Sequence, residues 1–188
     1  LDMDARLTIA ILPNTPFAQS TAARAAEKGF EIMLHMPMAT HGNGGKPFPG
    51  EISPDMDRKE IQRLTRDAIG QIAGARGVNN HTGSRFTEDA ECLRDFFDVV
   101  HESGLYFVDS RTHAATKAYD IAREKKVPAA RRDVFLDNEA DTAYIRKQWD
   151  ELLKKAKKQG SAIGIGHFRD TTISVLAEAL PKLADTGI

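Results

Sequence analysis

Three histidines and two aspartates stand at or beside the ends of short apolar runs. His35 closes "FEIMLH", His81 closes "GVNNH", Asp109 closes "LYFVD", Asp133 lies in "RRDVFLDN" and His167 closes "AIGIGH". Imidazole nitrogen with carboxylate oxygen suits a divalent ion, zinc above all, with one position left open for water. Such an ion acidifies its water and polarises a carbonyl, so amide or ester hydrolysis is the chemistry these residue types point to. The plain readings carry equal weight for each residue alone. A strand-end histidine is often a hydrogen-bonded structural residue, and Asn79 and Asn80 could satisfy the backbone of a turn. Asp109, Ser110 or Thr112 could cap a helix.

The elements that must position these side chains alternate regularly. "LTIAILP" (7–13) reads as a buried strand, "TPFAQSTAARAAEKG" (15–29) as a helix, and "FEIMLHMP" (30–37) as the next strand. A Gly/Pro-rich stretch from Met38 to Met56 is long enough for a rim or lid loop. A helix and the short strand ending at His81 follow, then an amphipathic helix opened by Thr87. Strand and helix keep alternating through "RRDVFLDN", a long helix closed by Gly160, "SAIGIGH" and a last helix that ends near Pro181. This pattern predicts an α/β fold with a mainly parallel sheet, open or closed into a barrel. Ligands bind such folds at the carboxyl ends of strands, where loops converge, and the five residues fall there.

The bulk numbers narrow the partners. The chain has 188 residues, which suits one domain over 1–188, and its net charge of −1 gives no field for nucleic acid. No apolar run is long enough to span a bilayer, and no basic-then-apolar leader opens the sequence. The single cysteine, Cys92, excludes a disulfide framework and reads as core. His41, His101 and His113 read as surface residues, and "SAIGIGHF" lacks the third glycine of a dinucleotide fingerprint. The opening "LDMDARLTIAILP" and the close "LADTGI" both read as the interior of a domain, so further residues are expected at either end.

In order and spacing, "ILPNTPFA", "EIMLHMPM", "GVNNHTGSRFT", "LYFVDSRT", "RRDVFLDN" and "IGIGHFRDTT" resemble the divergent polysaccharide deacetylase family. The resemblance covers nearly the whole chain. It implies a distorted (β/α) barrel, an exported protein of the periplasm or cell envelope, and a metal-dependent hydrolase acting on an N- or O-acetylated glycan. On that resemblance His35 and His81 are expected to be ligands of a divalent metal, most naturally zinc. His167 is expected to protonate the departing amine, with Asp109 as its orienting carboxylate. Asn79, Asn80, Arg111 and Asp133 are expected to hold the site or meet substrate, and Phe48 in the long loop to stack on a sugar. The family also opens with a strand ending in two adjacent aspartates, one a metal ligand and one the base. Asp2 and Asp4 do not follow a strand, so that first strand is expected to be missing from these 188 residues. A catalytically silent envelope protein with the same fold, binding glycan or a protein partner, is the competing expectation.

Overall fold

A computed structural model describes residues 6–42 and 46–186, and in it the apolar runs become strands of a mixed α/β fold. Asp2 and Asp4, on which the expectation of a missing acidic strand turned, lie outside the described residues. Two compact units, residues 6–130 and the residues from Arg131 onward, make up the described chain.

In the first unit, β1 (Thr8–Ile11), β2 (Glu31–Met38), β3 (Ala75–Thr82), β4 (Tyr106–Asp109) and β5 (Ala129–Arg131) form one sheet in chain order. The β1–β2, β2–β3 and β3–β4 pairs are parallel. A parallel pair needs a crossover, supplied here by α1 (Ala18–Glu27), α2 (Arg58–Gln71), α3 (Ala90–Glu102) and, before β5, α4 (Ala118–Glu124). Strand β2 is flanked on both sides, which is why "IMLHMPM" is almost continuously buried rather than alternating. Helix α3 turns Leu93, Phe96, Phe97 and Val100 inward at helical spacing. Phe96 and Phe97 pack edge-on against Phe107 of β4, with centroids 6.2 and 4.9 Å away. All three rings are fully buried, each contributing about 1.5–3 kcal/mol of transfer free energy.

The second unit pairs β6 (Val134–Phe135) with β7 (Gly164–Ile165), also in parallel, with α5 (Thr142–Gln159) as their crossover. Asp141 caps α5 by accepting from Tyr144 N at 2.8 Å, and Gly160 ends it in the left-handed conformation at φ 82°. Helix α6 (Asp170–Ala179) follows and runs into a 3-10 turn, Leu180–Thr186, that carries Pro181. Among the described residues the strand ladders are thus a five-stranded and a two-stranded sheet, and neither ladder is a closed barrel.

Several boundaries differ from expectation. Strand β2 runs from Glu31 to Met38, one residue later at each end than the expected 30–37. "VPAARRDVFLDN" holds two short strands rather than one. Helix α3 is capped by Asp89, which accepts from Glu91 N and Cys92 N, and Thr87 sits in a preceding 3-10 turn. An aspartate caps better than the upstream threonine because its charge also meets the helix dipole.

Candidate functional site

Pairing register decides which polar side chains of the first unit meet. His35 stands opposite Asn79, and Pro37 opposite His81. Residues two apart in a strand share a face, so His35, Asn79 and His81 project together. His35 Nδ1 lies 2.9 Å from Asn79 Oδ1, and Asn79 Nδ2 donates to Ser110 Oγ at 3.2 Å. An amide oxygen only accepts, so His35 carries its proton on Nδ1 and its Nε2 is the nitrogen that faces outward. That Nε2 lies 3.0 Å from His81 Nδ1, with the two rings edge to face at a centroid distance of 4.8 Å. Phe48 completes the group, its ring edge to face with His81 at 4.5 Å.

Asn80 points to the other face and braces the turn. Its Oδ1 accepts from Ser110 N at 2.8 Å, and its Nδ2 donates to Thr82 O at 2.7 Å. Both asparagines are buried and both amides are satisfied, which answers the cost of placing them there. Thr82 then adopts φ 56° and Gly83 φ 98°. A Cβ on Gly83 would lie 2.9 Å from Met38 Cβ, so the chain passes β2 at a distance only glycine permits. Asp109 is buried; one oxygen accepts from Arg111 N at 2.8 Å and the other from Thr116 Oγ1 at 3.1 Å. These bonds fix the loop after β4, in which Arg111 takes φ 49°.

His41 and His113, read from sequence as plain surface residues, both meet Glu88. The distances are 2.8 Å from His41 Nε2 and 2.7 Å from His113 Nδ1, one to each carboxylate oxygen. The three residues follow β2, β3 and β4, so the cluster ties three loops together. The His41 hydrogen bond, aided by the charges of His41, His113 and Lys117, holds the Glu88 carboxyl below its ordinary range.

In the second unit His167 lies two residues beyond β7, and the carboxylate on it is Asp137 rather than the expected Asp109. Asp137 is fully buried. Its Oδ1 lies 3.0 Å from His167 Nδ1, and its Oδ2 accepts from His167 N and from Thr172 Oγ1, each at 2.8 Å. The imidazole proton is therefore fixed on Nδ1, while half of the side chain stays exposed (51%) and Phe135 flanks it at 5.4 Å between centroids. A carboxylate-oriented, accessible imidazole is the form in which histidine moves protons. Asp133 does different work: its Oδ2 accepts from Ile163 N at 2.8 Å and secures the start of the β6–β7 pair. The signal for Asp137 was available in "DVFLD", because the strand-end rule selects the aspartate after the apolar run, not the one before it.

The donor set fits a divalent ion in part. His35 Nε2 and His81 Nδ1 converge at 3.0 Å, near the roughly 3.3 Å expected of two nitrogens on tetrahedral zinc. Asn79 on the far nitrogen of His35 is the outer partner that a ligating imidazole normally has. Among the described residues no three His, Cys, Asp or Glu side chains come together as a metal site, so an ion held by His35 and His81 would need a third ligand beyond this pair.

Residues 1–188, the whole chain, match the family of divergent polysaccharide deacetylases. The chain belongs to that family. Escherichia coli K12 YibQ, an uncharacterized protein, is 33% identical over 184 residues, and an uncharacterized Haemophilus influenzae protein is 33% identical over 183. The chain is covered to 97% in both alignments but spans only 57% and 65% of those relatives. The crystal structure of uncharacterized protein ATU2773 from Agrobacterium tumefaciens C58 superposes with a TM-score of 0.93 at 25% identity, covering 98% of this chain and 75% of that one. Its agreement supports the mixed α/β fold described above.

Proposed function

We propose that this divergent deacetylase removes acetyl groups from an N- or O-acetylated glycan, with a divalent metal, zinc by preference, bound through His35 and His81. The observation that carries the reading is the pair of imidazole nitrogens 3.0 Å apart, backed by Asn79. The metal, when bound, would supply an acidified water and polarise the acetyl carbonyl. Asn79 holds His35 in the tautomer that leaves Nε2 outward, and Asn80 with Gly83 fixes the turn that aims His81. His167, protonated on Nε2 as well as on Nδ1, gives the Nε2 proton to the departing nitrogen and is left neutral, and Asp137 replaces Asp109 as the group that orients it. The third ligand and the general base come, on this reading, from the acidic pair the family carries on a strand outside the described residues. That strand would also complete the (β/α) barrel. Export to the periplasm or cell envelope belongs to the same proposal, since acetylated wall glycans are found there.

The test is metal content and acetate release, measured on the full natural protein with an N-acetylated oligosaccharide. His35→Ala and His81→Ala should each lose most bound zinc and acetate release while keeping the native circular dichroism spectrum. Zinc retained at the parent level in both variants would sink the reading. A fully folded parent that binds no metal would favour the silent, glycan-binding alternative, which the two-donor set among the described residues keeps in view.

A further inference from the structure

We propose that Asn14 is a positioning residue that sets Phe48 against His81 as a flat wall for the face of a pyranose ring. The inference rests on the glycan reading above and makes the substrate a sugar gripped by its ring, rather than by its acetyl group alone. Phe48 touches His81 edge to face, yet 43% of the residue stays exposed, so the phenyl ring is anchored on one side and open on another. An exposed aromatic face beside a reacting group offers an apolar plane to the C–H face of a sugar.

Three features hold the Phe48 segment in place. Asn14 Nδ2 donates to Pro49 O at 3.1 Å, directly beside the ring-bearing residue. Gln71 at the end of α2 secures Asn14 twice: its Oε1 accepts from Asn14 N at 2.8 Å, and its Nε2 donates to Asn14 Oδ1 at 2.9 Å. Gly50 makes the approach possible, since a Cβ there would fall 2.3 Å from Asn14 Nδ2, and its φ of 76° is itself a glycine conformation. Asn14 adopts φ 56°, a left-handed state that asparagine tolerates better than most residues. One left-handed residue, Asn14, whose conformation costs free energy, is thus held against a glycine that adopts its own freely, and the product is a fixed backbone under Phe48. On the other side, Ile52 N donates to Pro37 O at 3.1 Å and Ala39 N to Ile52 O at 2.9 Å, pinning the loop to β2.

The experiment measures binding of tri-N-acetylchitotriose to the full natural protein by calorimetric titration, alongside acetate release. Phe48→Ala should weaken binding about tenfold, and Phe48→Trp should stay within about threefold of the parent, because the flat face survives. Asn14→Gly keeps the left-handed backbone and deletes only the latch; it should weaken binding about threefold. In the Phe48→Ala background it should cost nothing further, since a latch acting through the ring has no effect once the ring is gone. Gln71→Ala is a second route to the same loosening should Asn14→Gly unfold, and it should show the same dependence on Phe48. Equal losses from the latch variant with and without Phe48, or unchanged binding in Phe48→Ala, would overturn the proposal. Phe48-dependent binding without acetate release would remove the deacetylase reading and leave this one standing. Acetate release indifferent to Phe48 would do the reverse.

Discussion

Asp137 accepts three hydrogen bonds and has no exposed surface, so it has no water to fall back on. In Asp137→Asn an amide NH2 must face one of three donors. The expected cost is about 1–3 kcal/mol in urea unfolding, with acetate release reduced because the His167 proton loses its fixed position. Cys92 gives a second expectation at this scale. Burial, and after it the Asp89 carboxylate, pushes its thiol up to about 12. Native protein at pH 8 should therefore resist iodoacetamide, and urea-unfolded protein should react within the ordinary time of a free thiol. Fast alkylation of the native chain would mean the thiol is not where it is described. Cys92 was legible in the sequence because a lone thiol on an amphipathic helix has few alternatives. Asp137 was legible too, since it follows the run "VFL" at the strand's carboxyl end, but Asp133 before that run drew the assignment instead.

Loops that follow adjacent strands are joined to one another. Gly83 shows the steric side of this. Gly83→Ala places a Cβ 2.9 Å from Met38 Cβ and 3.3 Å from Thr87 Cγ2 at φ 98°, and should destabilise by roughly 1–3 kcal/mol in urea titration. A neutral result would show that β2 yields there. Glu88 shows the electrostatic side. Its carboxyl is held below the ordinary 4.5, so its contribution is present above that pH and is lost as pH falls through the lower folded value. Glu88→Gln should thus lower the melting temperature at pH 5 to 6, and the difference from the parent should close towards pH 3. A gap that persists at pH 3 would assign the effect to packing. Neither histidine suggested this from sequence, since His41, Glu88 and His113 are brought together only by the two parallel crossovers from β2 to β3 and from β3 to β4.

Across the molecule the proposed tasks fall to different units, with His35 and His81 in residues 6–130 and His167 with Asp137 in residues 131–188. His167→Ala should accordingly leave zinc content at the parent value while acetate release drops by roughly 10²–10⁴-fold. Loss of zinc in that variant would make His167 a ligand. The parallel α/β plan was legible because apolar runs and amphipathic segments alternate with so few interruptions. The division of the chain was hidden, because the short β5 and β6 sit in one unbroken stretch, "AARRDVF", with no change of composition to mark the boundary. Asn79 and Asn80 carry one last consequence. The β3–β4 backbone register stops at Asn79 and Val108, yet both side-chain amides reach on to Ser110, one at its hydroxyl and one at its N–H. A carboxamide is chemically a peptide group, so here two side chains prolong the sheet past its backbone, each both giving and accepting as a peptide bond does. Aspartate at either place would keep the shape and lose the giving half, and the outermost rungs would become sensitive to acidity where now they are not.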